Sequence, residues 1–363
     1  MLKGEQNLEP LLRQYITLRI TNMRGVNNQL IPWERYQDGD LVWWSFVISP
    51  EGPLYSVFGG RNNGKDDETI LTADALRIQL QGVLDYHYDP RRASWKIDRA
   101  TNSDSNVKSL DTHPGWKGWL KARGATDAGE CIHCHECTEV LQIPHIDAGA
   151  IKESDFYKWP LPENVGLTLE PGALTVKSVI KGSAAEKMGI KTGDVLGVAE
   201  RHRIFTETDL RAELHNLAAD SPSFDLVWLR NGKVMSATLE LDAGWRKVDL
   251  SSRRSVQNAP IGANLGFPWG HAANTQERKA RGIAAKVMAI KPYKPDGSVA
   301  GKAGLKASDI IVAINGKNHD ISGRELNIWF KFNIKDGEKV TLTVVNAKGD
   351  KRDISYTAKL KYE

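Results

Sequence analysis

The chain has 363 residues, with 49 basic against 45 acidic side chains, a net charge of +4 and 40% hydrophobic residues. The charges are spread along the chain, with no basic block of the kind that tracks a phosphate backbone, so nucleic acid is excluded as an expected partner. No run approaches the ~20 apolar residues of a membrane helix, and the stretch MLKGEQNLEPLLRQYITLRI holds no apolar signal-peptide core. The length suits about two to four domains.

In chain order, NLEPLLRQ (7–14) has helical spacing and YITLRIT (15–21) is a β-rich run. LVWWSFVIS (41–49), a PEGP turn and LYSVFGG (54–60) predict an antiparallel hairpin. TADALRIQLQGVLDYH (72–87) places Ala75, Leu76, Leu80, Val83 and Leu84 on one helical face. Residues 89–128 are rich in turn formers and predict a linker with one short helix around Trp116–Lys121.

Beyond residue 160 an internal repeat begins. GSAAEKMGIKTGDVLGV (182–198) matches GSVAGKAGLKASDIIVA (297–313) at a constant shift of 115, so that Gly182 aligns with Gly297, Ser183 with Ser298, Gly189 with Gly304 and Asp194 with Asp309. Each copy follows a β-rich run, TVKSVIK or AAKVMAIK. A helical segment comes next, 206–217 or 322–332, and then a β-hairpin, 224–241 or 339–356. The first hairpin turns at Asn231 and Gly232.

This repeat resembles a pair of HtrA-type PDZ domains, at 161–243 and 259–361. The family carries a Gly-Leu-Gly-Phe-like carboxylate-binding loop before its groove strand. The matching stretches here are Val165, Gly166, Leu167, Thr168 and Asn264, Leu265, Gly266, Phe267; the first departs from the motif and the second keeps Leu-Gly-Phe. In such a loop successive N–H groups form a nest for a terminal carboxylate, and the peptide adds as a strand between the groove strand and the longer helix. The resemblance therefore implies a protein or peptide C-terminus as partner, held by Val165, Gly166, Leu167 and by Leu265, Gly266, Phe267, with Ser322–Phe332 walling the second groove. The same resemblance raises an HtrA-type serine protease. Only about 160 residues precede the repeat, and they contain neither a Gly-[Asn/Ser]-Ser-Gly-Gly loop nor a Gly-x-Ser-x-Gly elbow, so proteolysis is not expected.

The order helix, strand, hairpin, helix in residues 1–90 resembles the C-terminal two-thirds of a thioredoxin-like fold. With YITLRITNMRGV, VWWSFVISPEGPLYSVFGGR, GECIHCHE, YKWPLPENVGLTL and AGWRKVDLSSR, the whole order is similar to a bacterial family of thioredoxin-like/PDZ proteins, some of which carry selenocysteine. That resemblance implies a first strand and redox helix lying before Met1, hence an N-terminally incomplete thioredoxin-like domain.

All three cysteines sit in GECIHCHECTE (129–139), too close together to staple a fold. Cys131, Cys134 and His135 fit the C-x-x-C-H pattern of c-type haem attachment, with both thiols on the vinyls and the imidazole on iron. His145, His113 or a methionine would be the sixth ligand, and Trp116, Trp119 and Trp159 would wall the haem. A second reading makes Cys131, Cys134 and Cys137 ligands of Zn²⁺ together with His133, His135 or His145. A third makes Cys131 and Cys134 a dithiol with Cys137 resolving it. The stretch leaves all three open.

The expectation is a multidomain chain, α/β followed by mostly β: a partial thioredoxin-like domain (1–90), a Cys/His linker (91–160) and two PDZ domains. Its expected work is periplasmic, or otherwise extracytoplasmic, redox or electron transfer at a haem c site, with the PDZ pair holding a protein partner. The competing class is a pure PDZ interaction scaffold with a structural metal or a dithiol.

Overall fold

The computed structural model describes residues 8–40, 43–60, 71–95, 99, 107–127, 132, 134–149, 151–319, 321 and 323–359. The chain divides into two compact units, Met1–Pro144 with Ser154–Asp249, and His145–Glu153 with Leu250–Glu363. Both mix helices with small antiparallel sheets.

The first unit opens with α1 (Glu9–Leu12) and α2 (Trp33–Tyr36). The expected strand 15–21 joins no sheet among the described residues: Ile16 and Leu18 are exposed, and Tyr15 is anchored by its hydroxyl to Leu80 O at 2.6 Å. The expected hairpin forms as β1 (Trp44–Ile48) and β2 (Leu54–Gly59), paired from Trp44 opposite Gly59 to Ile48 opposite Leu54. Helix α3 (Ala73–His87) starts at Thr72, whose side chain accepts from Ala75 N, and buries the face predicted for it. After α4 (Arg92–Trp95) come α5 (Trp116–Ala122) and α6 (Cys134–Asp147). Within the stretch 91–160, α5 and α6 pack their apolar faces on Trp33 and Leu110. Gly115 is required there, because a Cβ would overlap Val140 O one turn before Pro144 of α6.

The first repeat module completes this unit. It comprises β3 (Leu167–Leu169), β4 (Val176–Val179), α7 (Ala184–Lys187), β5 (Val195–Ala199), β6 (His202–Arg203), α8 (Glu207–Asn216), β7 (Ser223–Arg230) and β8 (Lys233–Glu240). β3 pairs β4, and the other four order as β6-β5-β7-β8. The β7–β8 turn has φ of 49° at Asn231 and 76° at Gly232, the two positive values that a two-residue hairpin requires.

The second unit carries α9 (Arg254–Asn258), β9 (Trp269–Ala272), α10 (Thr275–Ala280), β10 (Ile290–Tyr293), α11 (Val299–Lys302), β11 (Ile310–Ile314), α12 (Gly323–Asn333), β12 (Lys339–Val345) and β13 (Lys351–Thr357). Its sheet orders as β13-β12-β11-β10-β9, which leaves β9 at an edge. Its core joins Leu265, Phe267, Ile290, Leu326, Phe330 and Tyr356.

The repeat has a physical basis visible in both modules. Ser183 and Ser298 cap α7 and α11, accepting from Glu186 N and Gly301 N. Asp194 and Asp309, each 1% exposed, accept from Lys191 N and Lys306 N at 2.8 Å. Each also binds an arginine from the later hairpin: Arg230 in two bonds of 2.8 and 2.7 Å, Arg352 at 2.5 Å. Those arginines donate in turn to Gly189 O and Gly304 O. Although burial disfavours its charge, the Arg230 and Lys191 hydrogen bonds hold Asp194 below the usual carboxylate range.

Candidate peptide-binding loops

The two loops that match a carboxylate nest share their backbone shape and little else. Gly166 has φ 92° and Gly266 φ 76°, left-handed values that glycine adopts without strain. In the first module Gly166 ends a 3-10 turn (Pro162–Val165), and its N–H donates to Glu163 O at 3.0 Å. In the second, the amides of Leu265 and Gly266 have no protein acceptor among the described residues. The two loop carbonyls are held instead: Tyr356 hydroxyl donates to Leu265 O, and Ala300 N to Gly266 O. Val165, Leu167, Leu265 and Phe267 all point into their cores at 1% exposure or less.

Charge separates the loops further. Glu207, the first residue of α8, is pushed up to about 7 by burial; Arg211 opposes the shift and Glu163 of the loop adds to it. A peptide carboxylate arriving at Gly166 would meet that acidic pair. Aligning the long helices at a shift of 116 puts Gly323, which has no carboxylate, where Glu207 stands.

The helices themselves differ most. Thr208 through Leu214 of α8 are all buried. Leu210 and Leu214 face the module core, while Asp209 and Glu213 face the hairpin of β1 and β2. Asp209 accepts from Ser56 Oγ (2.7 Å), Val57 N (3.0 Å) and Phe205 N (2.8 Å). Glu213 accepts from Arg99 Nε (2.6 Å) and meets His202 Nδ1 (2.9 Å). Thr206 and Thr208 donate to Val57 O and Gly59 O, so α8 satisfies the outer edge of β2. Against its burial, Glu213 and Asp209 keep Arg99 firmly protonated. Trp159 seals the other flank, stacking on His215 at 5.0 Å while its carbonyl accepts from Arg211.

In the second module α12 lies along β9. Its start presses on the strand: a Cβ on Gly323 would overlap Gly270 O. Gly323 thus lets the start of α12 close on β9, while Gly270 leaves room on its other side for Ile290 of β10. Trp269 (48% exposed) and His271 project from β9, with Trp269 stacked on Tyr293 at 4.4 Å. Ser322, the expected start of the groove wall, lies outside the described residues; Gly323–Phe332 belong to α12. A side chain at Gly266 would not serve as a probe of the groove, since a Cβ there would stand 2.5 Å from the Tyr356 ring and strain the core.

The Cys/His stretch is placed in part. Cys131 and His133 lie outside the described residues, as does the side chain of Cys134. His135 pairs through Nδ1 with Glu139 at 2.9 Å, and Glu139 also accepts from Trp119 Nε1 at 3.0 Å. Cys137 points the other way, into the apolar cluster of Trp33, Trp116, Trp119 and Val140. His145 is exposed on α6, and His113 Nδ1 accepts from Gly115 N. Of the tryptophans expected to wall a haem, Trp116 stacks on Trp119 at 5.4 Å beside α6, and Trp159 packs on His215 and Trp44.

No family model matches the chain. A curated relative from Haemophilus influenzae, named a probable periplasmic serine protease do/HhoA-like, is 30% identical over 167 residues, covering 46% of this chain and 32% of the relative. A probable serine protease do-like protein of Buchnera aphidicola is 30% identical over 142 residues, covering 39% and 26%. The chain thus spans about a third or less of the curated relatives it matches. Among solved structures, an HtrA-type protease AlgW with decapeptide gives a TM-score of 0.24 at 12% identity, covering 48% of this chain and 57% of that one. These relatives correct the expected function: they are named serine proteases, and nothing in them points to haem, redox chemistry or electron transfer. Among the described residues no helix is long and apolar enough to cross a membrane.

Proposed function

We propose that this protein recognises peptides, and that its second module captures the free C-terminal carboxylate of a protein partner outside the cytoplasm. The observation that carries this reading is the pair of Leu265 and Gly266 amides, without a protein acceptor among the described residues, standing before an edge strand. Donors so placed suit a carboxylate, and β9 suits an added strand. The likeness to do-type periplasmic proteases supports both the PDZ-type reading of the modules and the extracytoplasmic setting. The first module serves as a joint: its helix is committed to the hairpin, its loop amide to its own turn. The hairpin with α3 is read as the remnant of a thioredoxin-like fold in a framework role.

The test is fluorescence polarisation of the full chain against a C-terminal peptide library, with each binder repeated as its C-terminal amide. Removing the carboxylate charge should weaken binding at least about tenfold, the scale of a charge-assisted hydrogen bond. Equal affinity of acid and amide forms would sink the carboxylate reading.

A further inference from the structure

A cavity of about 570 Å³ opens in the first unit, away from both carboxylate loops. Tyr86, Trp95, Val227, Leu229 and Val234 form its apolar walls, and Arg203 stands among them. The size falls in the range of small-molecule sites, roughly 300–1,000 Å³. Its walls are built and open at once: Trp95 stacks on Tyr86 at 5.8 Å and 21°, yet remains 39% exposed, with Leu229 at 46% and Val234 at 71%.

Arg203 gives the cavity its polarity. Its guanidinium spans β5, where Gly197 makes room; a Cβ at 197 would stand 2.9 Å from Nη1. Nη1 donates to Gly197 O at 3.2 Å, and the group lies 5.6 Å from the Phe205 ring centroid. No carboxylate pairs with it among the described residues. Several arginines are matched by a carboxylate, Arg99 by Glu213, Arg230 by Asp194, Arg352 by Asp309, and Arg91 at this same cavity by Asp89 at 2.7 Å, whereas Arg203 feels Asp209 only at longer range. Burial pushes the Arg203 pKa down, yet a guanidinium stays charged at any physiological pH. A half-buried, permanent cation with spare N–H donors beside an apolar cavity calls for an anion on an apolar body.

We propose that this cavity binds a small apolar carboxylic acid, its carboxylate on Arg203 and its hydrocarbon or aryl body against Trp95, Tyr86 and Leu229. The site is independent of the peptide-recognition reading, because no residue of either carboxylate loop takes part.

Equilibrium dialysis of the full chain against decanoate and 1-naphthoate tests it, with decanol as the uncharged control. At least one of the two acids should bind saturably at one per chain, and decanol at least tenfold more weakly than decanoate. Arg203→Met should remove the preference for acid over alcohol. Should that variant fail to fold, Val234→Glu, on a largely exposed side chain, should weaken the acid at least tenfold by like-charge repulsion while leaving the thermal melt unchanged. Equal binding of decanoate and decanol, no saturable binding of either acid, or wild-type affinity in a folded Arg203→Met or Val234→Glu chain would overturn the proposal.

Discussion

Helices α8 and α12 occupy corresponding places in the repeat, with Thr206 matching Ser322 and Leu214 matching Phe330. Both send two apolar side chains a turn apart into their module core, Leu210 with Leu214 and Leu326 with Phe330. The remaining faces have opposite fates. On α8 the charged positions Asp209 and Glu213 are buried against Ser56, Val57 and Arg99. On α12 their counterparts Glu325 and Trp329 are half-buried, and Arg324 is exposed. On the proposed reading, one scaffold serves as a joint in the first module and as a receptor in the second. What decides between them is whether the outer helix face and the loop amides are already spent on the chain itself.

The largest expected effect comes from breaking the joint. Asp209→Ala would leave Arg99, Ser56 and three backbone N–H groups, those of Val57, Phe205 and Thr206, short of an acceptor in a buried site, and should cost about 3–5 kcal/mol. Glu325→Ala at the matching place should cost about 1 kcal/mol or less. Chemical denaturation of both variants checks this; equal losses would mean that α8 is no more committed than α12.

Lys331 sharpens the contrast from the other side. It matches His215 of α8, and its buried ammonium donates to Ala259 O at 2.7 Å. Burial pushes its pKa down from 10.5 to about 8. The folded state thus holds fewer protons than the unfolded state between about pH 8 and 10.5, so this group makes stability rise with pH across that window. Below pH 8 it costs roughly 3 kcal/mol at 1.36 kcal/mol per pKa unit. Lys331→Met should recover about 1–2 kcal/mol at pH 7, after the loss at Ala259 O, and should abolish the rise. Denaturation curves at pH 7 and 10 decide it: a variant no more stable than the parent at pH 7 refutes the assignment.

The smallest effect tests what the modules share. Ser183→Ala and Ser298→Ala each remove a helix cap and should each cost about 1 kcal/mol. Thermal melts should show similar losses, and a loss confined to one variant would mean that the repeat framework is not equivalent.

The Asp–Arg pairs show how far the sequence reaches. Asp194 and Asp309 were aligned by the repeat, and so were Gly189 and Gly304, but not the arginines that join them. Arg230 and Arg352 lie 36 and 43 residues after their aspartates, on a later hairpin. Tyr15–Thr21 shows the opposite case: β-rich residues predict a strand, but pairing needs a partner edge, and the described structure supplies none. Cys137 reads from the sequence only as one thiol among several; its burial against Trp33, Trp116 and Trp119 is a matter of tertiary packing.

By itself the sequence determined the local elements and the duplication, because helical period, strand alternation, caps and the Asn-Gly turn act over a few residues. It also marked both glycines of the loops, since a left-handed backbone favours that residue type. Only the tertiary structure decided, among the described residues, which loop amides meet an acceptor, which helix is sealed and which arginines meet a carboxylate. Ser56 meets Asp209 across 153 residues and Arg99 meets Glu213 across 114, and burial sets the electrostatic cost of each group only after such distant partners have come together.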